Sequence, residues 1–397
     1  MHFNNPTDKS SVEQNQKHIC PKCSFENHSA AVYCEICFYP LNAFRPPLKK
    51  SSPATKTSQP EKVPAQPSNS LKQELKKPSV ISGLFVLGLA IALWSNYFVN
   101  LQPRYLASNT EDPIALYDSM TQVKDVPQGL FSYGGALYFA SLVAHGINDA
   151  MTQSHPGFDL RYTKPKNQDQ SYANGIRMLL DGELSFAFNG RALIDAEYSQ
   201  ARLQGISLQQ VPFAIDGVVF FGNNNLSVRN LSLDRVKDIF TGEITNWQQL
   251  GGADLPITPV LLTPENIEIL GLKNIASVPQ ATQYVSNYTL AIRRVIATPG
   301  SISFASASLV QGQQAIKVFG LAPENSTEYV APFISGQSNL ELFKNGSYPL
   351  TRRLFIVIRQ DGTPDQLAGK AYIQMVLSDR GQKIVKQSGF VPLYGEE

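Results

Sequence analysis

Hydrophobic and polar positions divide the chain into stretches with different patterns. Residues 45–78 contain hardly any large apolar side chains, residues 78–103 carry no charge, and residues 125–397 alternate apolar runs with amphipathic ones. Runs such as LSFAFNG, PITPVLL and RRLFIVIR predict strands, whereas ASLVAHGINDAMTQ, LSLDRVKDIF and PDQLAGKAYIQMVLSDRGQKIVKQ predict helices. This alternation predicts an α/β domain with largely parallel sheets and ligands at the carboxyl ends of strands.

The uncharged stretch between Lys77 and Arg104 is long enough to cross a membrane. Its centre reads ISGLFVLGLAIALW, and about 20 mostly apolar residues suffice for one pass. We therefore predict a transmembrane helix over residues 79–100, with Trp94 and Tyr97 in the interfacial aromatic belt. A buried core helix would normally carry a polar stripe. A cleaved signal peptide is disfavoured because a long segment precedes the apolar run.

Charge on the two sides of this segment predicts its orientation. The formal net charge of the chain is only +2, but residues 1–77 carry 11 Lys and Arg against 6 Asp and Glu, and residues 104–397 carry 23 against 26. Lysines precede the apolar stretch, while Glu111 and Asp112 follow it. Basic flanks stay in the cytoplasm. We expect a single-pass cell-membrane protein with a cytoplasmic N-terminus and a periplasmic, or extracytoplasmic, C-terminal domain.

One linker is expected on each side of the membrane helix. Residues 45–78 contain seven prolines among Ser, Lys, Gln and Thr, a composition that cannot bury enough surface to offset its ordering entropy and therefore predicts a disordered tether. Its lysines could also contact anionic lipid headgroups, although a solvated linker is the simpler interpretation. Residues 101–125 are expected to form a second, extracytoplasmic linker.

All four cysteines lie near the N-terminus in the pattern C-x2-C-x10-C-x2-C, as Cys20, Cys23, Cys34 and Cys37. Two such pairs predict a closed, tetrahedral Zn²⁺ site whose role is structural, because every ligand is a protein thiolate. The expected zinc finger spans residues 1–44, with the metal-binding part at 18–42. A disulfide is disfavoured in the cytoplasm that the predicted topology implies.

The segment CPKCSFENHSAAVYCEICFYPLN resembles the Ran-binding-protein-type zinc finger. Asn27 matches the asparagine of that family, whereas His18 stands where the family has a tryptophan. The resemblance implies binding to single-stranded RNA or to protein, with arginines and an aromatic residue stacking on bases. The segment offers Lys17, Lys22 and Phe25 but no arginine, so we expect a cytoplasmic protein partner and no nucleic acid.

Four ordered phrases in the C-terminal region carry a second resemblance. They are similar to segments of the phosphate-binding periplasmic proteins of ABC transporters. In chain order they are RMLLDGELSFAFNGRALIDAEY, VPFAIDGVVFFGNN, LDRVKDIFTGEITNWQQLGGADLPI, and YPLTRRLFIVI with AGKAYIQMVLSDRGQKIVKQSGFVPL. The similarity covers most of residues 128–393, within a domain that we place at 126–397. It implies a type II periplasmic-binding-protein fold, in which two α/β lobes joined by crossing strands close on an oxyanion.

The resemblance implies ligand-binding residues at four places, two of which precede helices. The glycine-rich turn is present as Gly134-Gly135-Ala136, with Ala136 in place of the usual hydroxyl residue. Ser171 matches the ligand serine before the second helix. Helix capping alone would also explain both sequences.

The third place and a nearby acid leave two interpretations each. Asn189-Gly190-Arg191 stands where the family has Ser-Ser-Arg or Ser-Asp-Arg, and Arg191 either binds the anion or pairs with Glu197. Asp216 could accept a phosphate proton, as a matching family acid does, or Ile-Asp-Gly is a turn between the crossing strands.

At the fourth place the family's arginine and Ser-Gly-Thr are absent from residues 263–268, where Glu265 and Glu268 stand instead. Hydrogen bonds to a charged group contribute about 1.5–3 kcal/mol each, so losing three removes about 5–9 kcal/mol. The sequence therefore predicts a solute-binding domain for phosphate or another small anion, with weak phosphate affinity.

The expected partner of this domain is an ABC transporter permease. The alternative is a degenerate binding domain that acts as a sensor or protein-interaction module coupled to the zinc finger. An enzyme is not expected, since no catalytic Ser/His/Asp set and no phosphate-binding loop of the nucleotide-hydrolase kind occurs in the exported part.

Overall fold

The protein was analysed as a computed structural model that describes residues 18–19, 26–27, 104–105, 114–165, 172–272 and 278–395. The four cysteines, the linker at 45–78 and the predicted membrane helix at 79–100 lie outside these residues, so the zinc site and the span stay predictions. In the described part of the chain, no helix is both long and apolar enough to cross a membrane. No cluster of three or more His, Cys, Asp or Glu that could bind a metal occurs among those residues either.

The described strands are short except for those that link the lobes. They are β1 (His18–Ile19), β2 (Glu26–Asn27), β3 (Arg104–Tyr105), β4 (Ala115–Leu116), β5 (Gly129–Gly135), β6 (Phe158–Tyr162), β7 (Phe186–Asn189), β8 (Ser207–Asn223), β9 (Asn230–Ser232), β10 (Thr258–Leu261), β11 (Gln283–Tyr284), β12 (Ser301–Ser306), β13 (Ile316–Val318), β14 (Gly320–Ala322), β15 (Phe333–Ile334), β16 (Gln337–Ser338), β17 (Thr351–Gln360) and β18 (Val391–Pro392).

The helices follow the strands in alternation, as the hydrophobic pattern predicts. The described α-helices are α1 (Phe139–Ala144), α2 (Ile147–Ser154), α3 (Tyr172–Leu180), α4 (Asp195–Leu203), α5 (Leu233–Thr241), α6 (Tyr288–Ala297), α7 (Ala307–Val310), α8 (Leu340–Lys344), α9 (Pro364–Leu377) and α10 (Asp379–Gln387). Short 3-10 helices occupy Met120–Gln122, Trp247–Leu250 and Pro264–Leu270.

One mixed sheet runs through the described part of the domain in the order β11-β10-β12-β8-β17-β7-β5-β6, with β13 and β18 also paired to β8. Strands β5, β6 and β7 are mutually parallel, as are β10, β11 and β12. The long strands β8 and β17 run antiparallel to each other between these two parallel groups. The expected parallel sheets are therefore present in each half, and the antiparallel pair joins them.

The main hydrophobic core of lobe 1 is separate from that of lobe 2, and a third, smaller cluster covers the other face of the lobe 1 sheet. Lobe 1 packs β5, β6 and β7 against α1, α2, α9 and α10, with Phe186 stacked on Tyr372 at 4.3 Å between ring centroids. Lobe 2 packs β10 and β12 against α5 and α6. Strand β8 supplies Phe213 to the first core and Phe220 to the second, so this one strand crosses from lobe to lobe.

Two predicted helices are each interrupted. The run ASLVAHGINDAMTQ forms α1 and α2, separated at Gly146, whose φ of 82° is a left-handed conformation that suits glycine. The C-terminal run forms α9 and α10, separated at Ser378, whose backbone is extended and whose Oγ accepts a hydrogen bond from the Gly381 N–H at 3.3 Å.

One of the alternatives for Asp216 is wrong. Ile215, Asp216 and Gly217 lie inside the continuous strand β8 and pair with Arg353, Arg352 and Thr351 of β17. The segment is therefore not a turn, because the chain crosses between lobes without reversing.

Candidate ligand-binding cleft

The strand directions place the carboxyl ends of both parallel groups at the crossing between the lobes. Strand β17 is antiparallel to β7 and to β8, so β7 and β8 run in the same direction, toward lobe 2. Strand β12 is antiparallel to β8 and parallel to β10, so both run back toward lobe 1. The carboxyl ends of β5 and β7 thus face those of β10 and β12. This is the position in which α/β sheets bind ligands.

Glycines allow a close approach at the carboxyl end of β5. Gly135 has a φ of 94°, and a Cβ there would lie 2.4 Å from the Phe188 carbonyl oxygen. A Cβ on Gly175, in the first turns of α3, would lie 2.7 Å from the Gly135 Cα. A Cβ on Gly134 would lie 2.9 Å from the Thr163 carbonyl oxygen. These positions therefore require glycine, and the start of α3 lies directly against the end of β5.

The predicted residues Ala136 and Ser171 have different outcomes. Ala136 is buried next to this glycine pair, and its N–H donates to the Phe188 carbonyl oxygen at 2.9 Å. The Ala136 N–H is thus already hydrogen-bonded within lobe 1. Ser171 lies outside the described residues, immediately before the first residue of α3, Tyr172. Its predicted role as a ligand or helix cap stays a prediction.

Asn189 ends strand β7 and has a fully buried side chain. Because side chains alternate along a strand, Asn189 points to the same face as Ala187, which packs against Ile176 of α3. Neither Oδ1 nor Nδ2 of Asn189 has a hydrogen-bond partner among the residues that the structure describes. Leaving such a group unsatisfied costs about 1–3 kcal/mol, so the amide is a candidate for contact with a ligand.

Arg191 pairs with Glu197, which is one of the two interpretations that the sequence left open. Its Nη1 and Nη2 donate to the two carboxylate oxygens of Glu197 at 2.9 and 2.8 Å. Glu197 also accepts from the Ile194 N–H at 2.9 Å, at the start of α4. The pair therefore fixes the loop from β7 to α4, and its charges neutralise each other.

Asp216 forms a second ion pair at the crossing of the lobes. Its fully buried carboxylate accepts from Arg352 Nε at 3.0 Å, from Arg352 Nη2 at 2.9 Å and from Ser306 Oγ at 2.7 Å. Burial raises the pKa of the Asp216 carboxyl, whereas the Arg352 guanidinium and the Ser306 hydroxyl act to lower that pKa. With its oxygens held in this way, Asp216 is placed as a structural partner of Arg352.

Tyr138 connects this ion pair to strand β7 of lobe 1. The Arg352 guanidinium carbon lies 5.6 Å from the centroid of the Tyr138 ring, within the range of a cation–π contact. The Tyr138 hydroxyl donates to the Asn189 carbonyl oxygen at 2.8 Å. The Arg352–Asp216 pair is therefore linked through Tyr138 to the end of β7, the strand that carries the Asn189 amide.

Thr263 is a candidate that the sequence did not identify. It follows β10 and caps the 3-10 helix Pro264–Leu270, but the Asn266 N–H donates to its carbonyl oxygen, at 3.2 Å, and not to its hydroxyl. Thr263 Oγ1 is buried and has no hydrogen-bond partner in the described ranges. The available signal was a hydroxyl residue directly after a predicted strand. Of the two acids that stand in place of the family's ligands at residues 263–268, Glu268 is exposed, and the side chain of Glu265 is not among those that the structure describes.

Comparison with known proteins identifies the family of this domain. Residues 135–380 match the PBP superfamily domain. The phosphate-binding protein PstS of Borreliella burgdorferi is 24% identical over 254 residues, which cover 58% of this chain and 83% of that protein. PstS of Bacillus subtilis is 27% identical over 189 residues, 45% of this chain and 56% of that protein.

Solved structures show the same fold. An ABC-type phosphate transport receptor from Vibrio cholerae superposes with a TM-score of 0.50 at 20% identity, covering 66% of this chain and 99% of the receptor. A Clostridium perfringens protein, provisionally assigned as a phosphate ABC transporter substrate-binding protein and crystallised with phosphate, gives a TM-score of 0.52 at 23% identity, with 67% and 100% covered. With the sequence match, the two lobes and the crossing strands, the chain belongs to the PBP superfamily.

Proposed function

We propose that residues 126–397 form the extracytoplasmic solute-binding domain of a membrane-anchored protein, and that the cleft binds phosphate or another small oxyanion. The proposal is carried by the buried Asn189 amide, which has no partner among the described residues and ends β7, the strand that pairs with Gly134 and Gly135 of β5. The phosphate-binding relatives support the choice of ligand. PBP superfamily membership makes the domain a binding protein and not an enzyme.

Phosphate affinity is expected to be low. Arg191 and Arg352 each lie in an ion pair, and the Ala136 N–H donates to lobe 1 itself. A phosphate ion entering the cleft would therefore meet mainly neutral donors, which bind an ionised group less strongly than a guanidinium does. We expect a dissociation constant in the micromolar range or weaker.

Calorimetric titration of the full-length chain in detergent tests this function. Phosphate, sulfate and small organic anions are titrated at the same ionic strength, so that the screening of charges by salt is the same in each titration. Saturable one-to-one binding of phosphate or another small oxyanion is expected. Absence of saturable binding for all of these anions, with a native far-ultraviolet spectrum, would contradict the proposal.

The alternative function is a sensor or protein-interaction module that no longer binds a small anion. The Arg191–Glu197 pair is the observation that favours it, because the arginine implied as a ligand is bound to a carboxylate. This alternative would be favoured if no anion gave saturable binding in the calorimetric titration while the protein remained folded. Its partner would then be sought among cytoplasmic proteins that bind the N-terminal segment, or among ABC transporter permeases.

We also propose that residues 1–44 form a structural zinc module. The support is the C-x2-C-x10-C-x2-C spacing of the four cysteines. Purified residues 1–45 should contain one zinc ion per chain and lose their fold when a chelator is added. The Cys34→Ser variant should behave like the chelated protein, and a folded, metal-free peptide would exclude the site.

The membrane anchor is a separate proposal, supported by the uncharged stretch within residues 79–100 and by the basic segment before it. An impermeant thiol reagent added outside intact cells should label a cysteine placed at Ser154 but not one placed at Ser58. The reverse labelling would invert the proposed topology.

A further inference from the structure

We infer that one face of lobe 1 lies against the membrane, and that three basic residues of α10, Arg380, Lys383 and Lys386, contact anionic phospholipid headgroups there. The inference rests on the membrane anchor proposed above, and it adds which side of the domain meets the bilayer. It uses none of the residues assigned to the ligand-binding cleft.

The chain that follows the predicted membrane span is fixed to lobe 1 by residues 114–123, which we call the strap. The sequence predicts a linker over residues 101–125, yet Ile114, Met120 and Val123 of the strap are buried and belong to the core of lobe 1. Removing such apolar side chains from water holds a segment in place. The strap is therefore a part of lobe 1.

Backbone hydrogen bonds hold the strap at two further points. The Asp118 carbonyl oxygen accepts from the N–H of Asp379, the first residue of α10, at 3.3 Å. The Met120 carbonyl oxygen accepts from His155 Nε2, directly after α2, at 2.7 Å. Strand β4, within the strap, packs against α9. The strap therefore lies on α9 and reaches the start of α10.

Little chain separates this part of lobe 1 from the membrane. Tyr105 ends strand β3, which pairs with β4, so the chain is already held beside the strap at residue 105. Residues 101–104 are left between Tyr105 and the predicted span at 79–100, and a stretch of this length reaches at most about 14 Å. The tether therefore favours lobe 1, on the side of the strap, as the part of the domain that meets the bilayer.

Helix α10 presents a row of basic side chains on its exposed face. Arg380, Lys383 and Lys386 are exposed and follow one another every three residues along one face, whereas Ile384 and Val385 are buried in the core of lobe 1. None of the three basic residues is in an ion pair with another residue that the structure describes. Only Lys386 lies in the last turn, where the helix dipole favours a cation, so the dipole does not account for Arg380 and Lys383.

The acids around this row do not cancel its charge. Helix α10 carries one acid, Asp379, in its first turn, where a negative charge suits the helix dipole. Asp118 of the strap and Asp149 of α2 each interact with other groups of the chain. Arg380 donates to the neutral Gln153 Oε1 of α2 at 3.1 Å. Because basic residues on an amphipathic helix are attracted to anionic headgroups, this face suits an anionic bilayer better than a zwitterionic one.

The test measures how fast single lysines react with a membrane-impermeant acylating reagent, by mass spectrometry of the full-length chain in lipid nanodiscs that hold one copy each. Lys383 and Lys386 should react at least about threefold more slowly in phosphatidylglycerol than in phosphatidylcholine. The difference should disappear in about 1 M salt, where charges are screened beyond about 3 Å. Lys344 is the control, because it is exposed on α8 of lobe 2, and it should react equally in the two lipids. Equal rates at Lys383 and Lys386, or the same slowing at Lys344, would overturn the inference.

A double variant assigns the protection to the basic row. In Arg380→Gln/Lys386→Gln, Lys383 remains as the reporter, and its rates in the two lipids should become nearly equal. The matched control Arg229→Gln/Lys344→Gln removes the same charge from exposed residues of lobe 2, and it should leave the difference at Lys383 unchanged. Equal loss in both variants would show that the net charge of the domain acts instead of this row, and would overturn the inference.

Failure of the membrane anchor gives a different result. If the chain does not co-elute with the nanodiscs, the anchor is wrong and the inference falls with it, whereas a chain that co-elutes but shows equal lysine rates overturns the inference alone. Slowing of Lys383 only in discs that hold two copies would mean that a second copy of the chain covers this face, and would also overturn it.

Discussion

The two ion pairs near the cleft both join a guanidinium to a carboxylate, but they differ in the sequence separation of the partners and in burial. Arg191 and Glu197 are close in sequence, and their side chains are 25% and 9% exposed. Arg352 and Asp216 come from different crossing strands, and their side chains are 11% and 0% exposed. The first pair fixes one loop of lobe 1, whereas the second joins the crossing strands and, through Ser306, lobe 2. An arginine in a ligand motif is thus not by itself a sign of anion binding.

The largest expected effect comes from removing the cation of the buried pair. Arg352→Met leaves the Asp216 carboxylate buried without its partner, and should lower the free energy of unfolding by about 3–5 kcal/mol at pH 7. Urea denaturation measures this directly. Arg353→Met is the matched control, because Arg353 is the exposed neighbour on β17, and it should change stability by less than about 0.5 kcal/mol.

The pH dependence of Arg352→Met gives an independent check. Burial already raises the pKa of Asp216 in the folded protein, and loss of the guanidinium raises that pKa further. A raised folded-state pKa favours the folded state at pH values below the unfolded value of 3.8, and this contribution is lost as the pH rises through the folded-state pKa. The deficit relative to the wild type should therefore shrink in acid, and a pH-independent deficit would contradict the pairing.

A smaller loss is expected from the glycine contact of lobe 1. Gly135→Ala places a Cβ 2.4 Å from a backbone oxygen at a φ of 94°, and should destabilise the domain by about 1–3 kcal/mol. Gly346→Ala is the matched control, since its φ of 76° is similarly left-handed but nothing lies within 4 Å of the added Cβ. Thermal unfolding should show the larger loss for Gly135→Ala, and equal losses would mean that the close contact is not rigid.

The smallest stability change is expected at the partly buried Arg191–Glu197 pair. Glu197→Gln retains a hydrogen-bonding group for Arg191 but removes its counter-charge, and should cost about 1 kcal/mol. The same change leaves an uncompensated positive charge beside the cleft, so phosphate affinity should rise about 3- to 10-fold at low salt. A fall in affinity, measured by calorimetry, would indicate that Glu197 acts on the ligand in another way.

The sequence predicts the strands and the α/β class because each apolar run is local. PITPVLL forms β10 and RRLFIVIR forms much of β17. It does not predict the Arg352–Asp216 pair, because the two residues are brought together only by the register of β8 and β17. It also cannot show that Thr263 Oγ1 and the Asn189 amide are buried without described partners, since burial depends on how α3 and the loops pack.

The most direct test of the account is the phosphate affinity of Arg191→Ala relative to the wild type. Arg191 donates to both oxygens of Glu197, and recognition is assigned to neutral groups. Calorimetry should therefore give weak phosphate binding in the wild type that falls by no more than about 3- to 10-fold in Arg191→Ala, because the unpaired Glu197 carboxylate is left beside the cleft. Sub-micromolar affinity in the wild type that Arg191→Ala abolishes would contradict the account and make Arg191 a ligand.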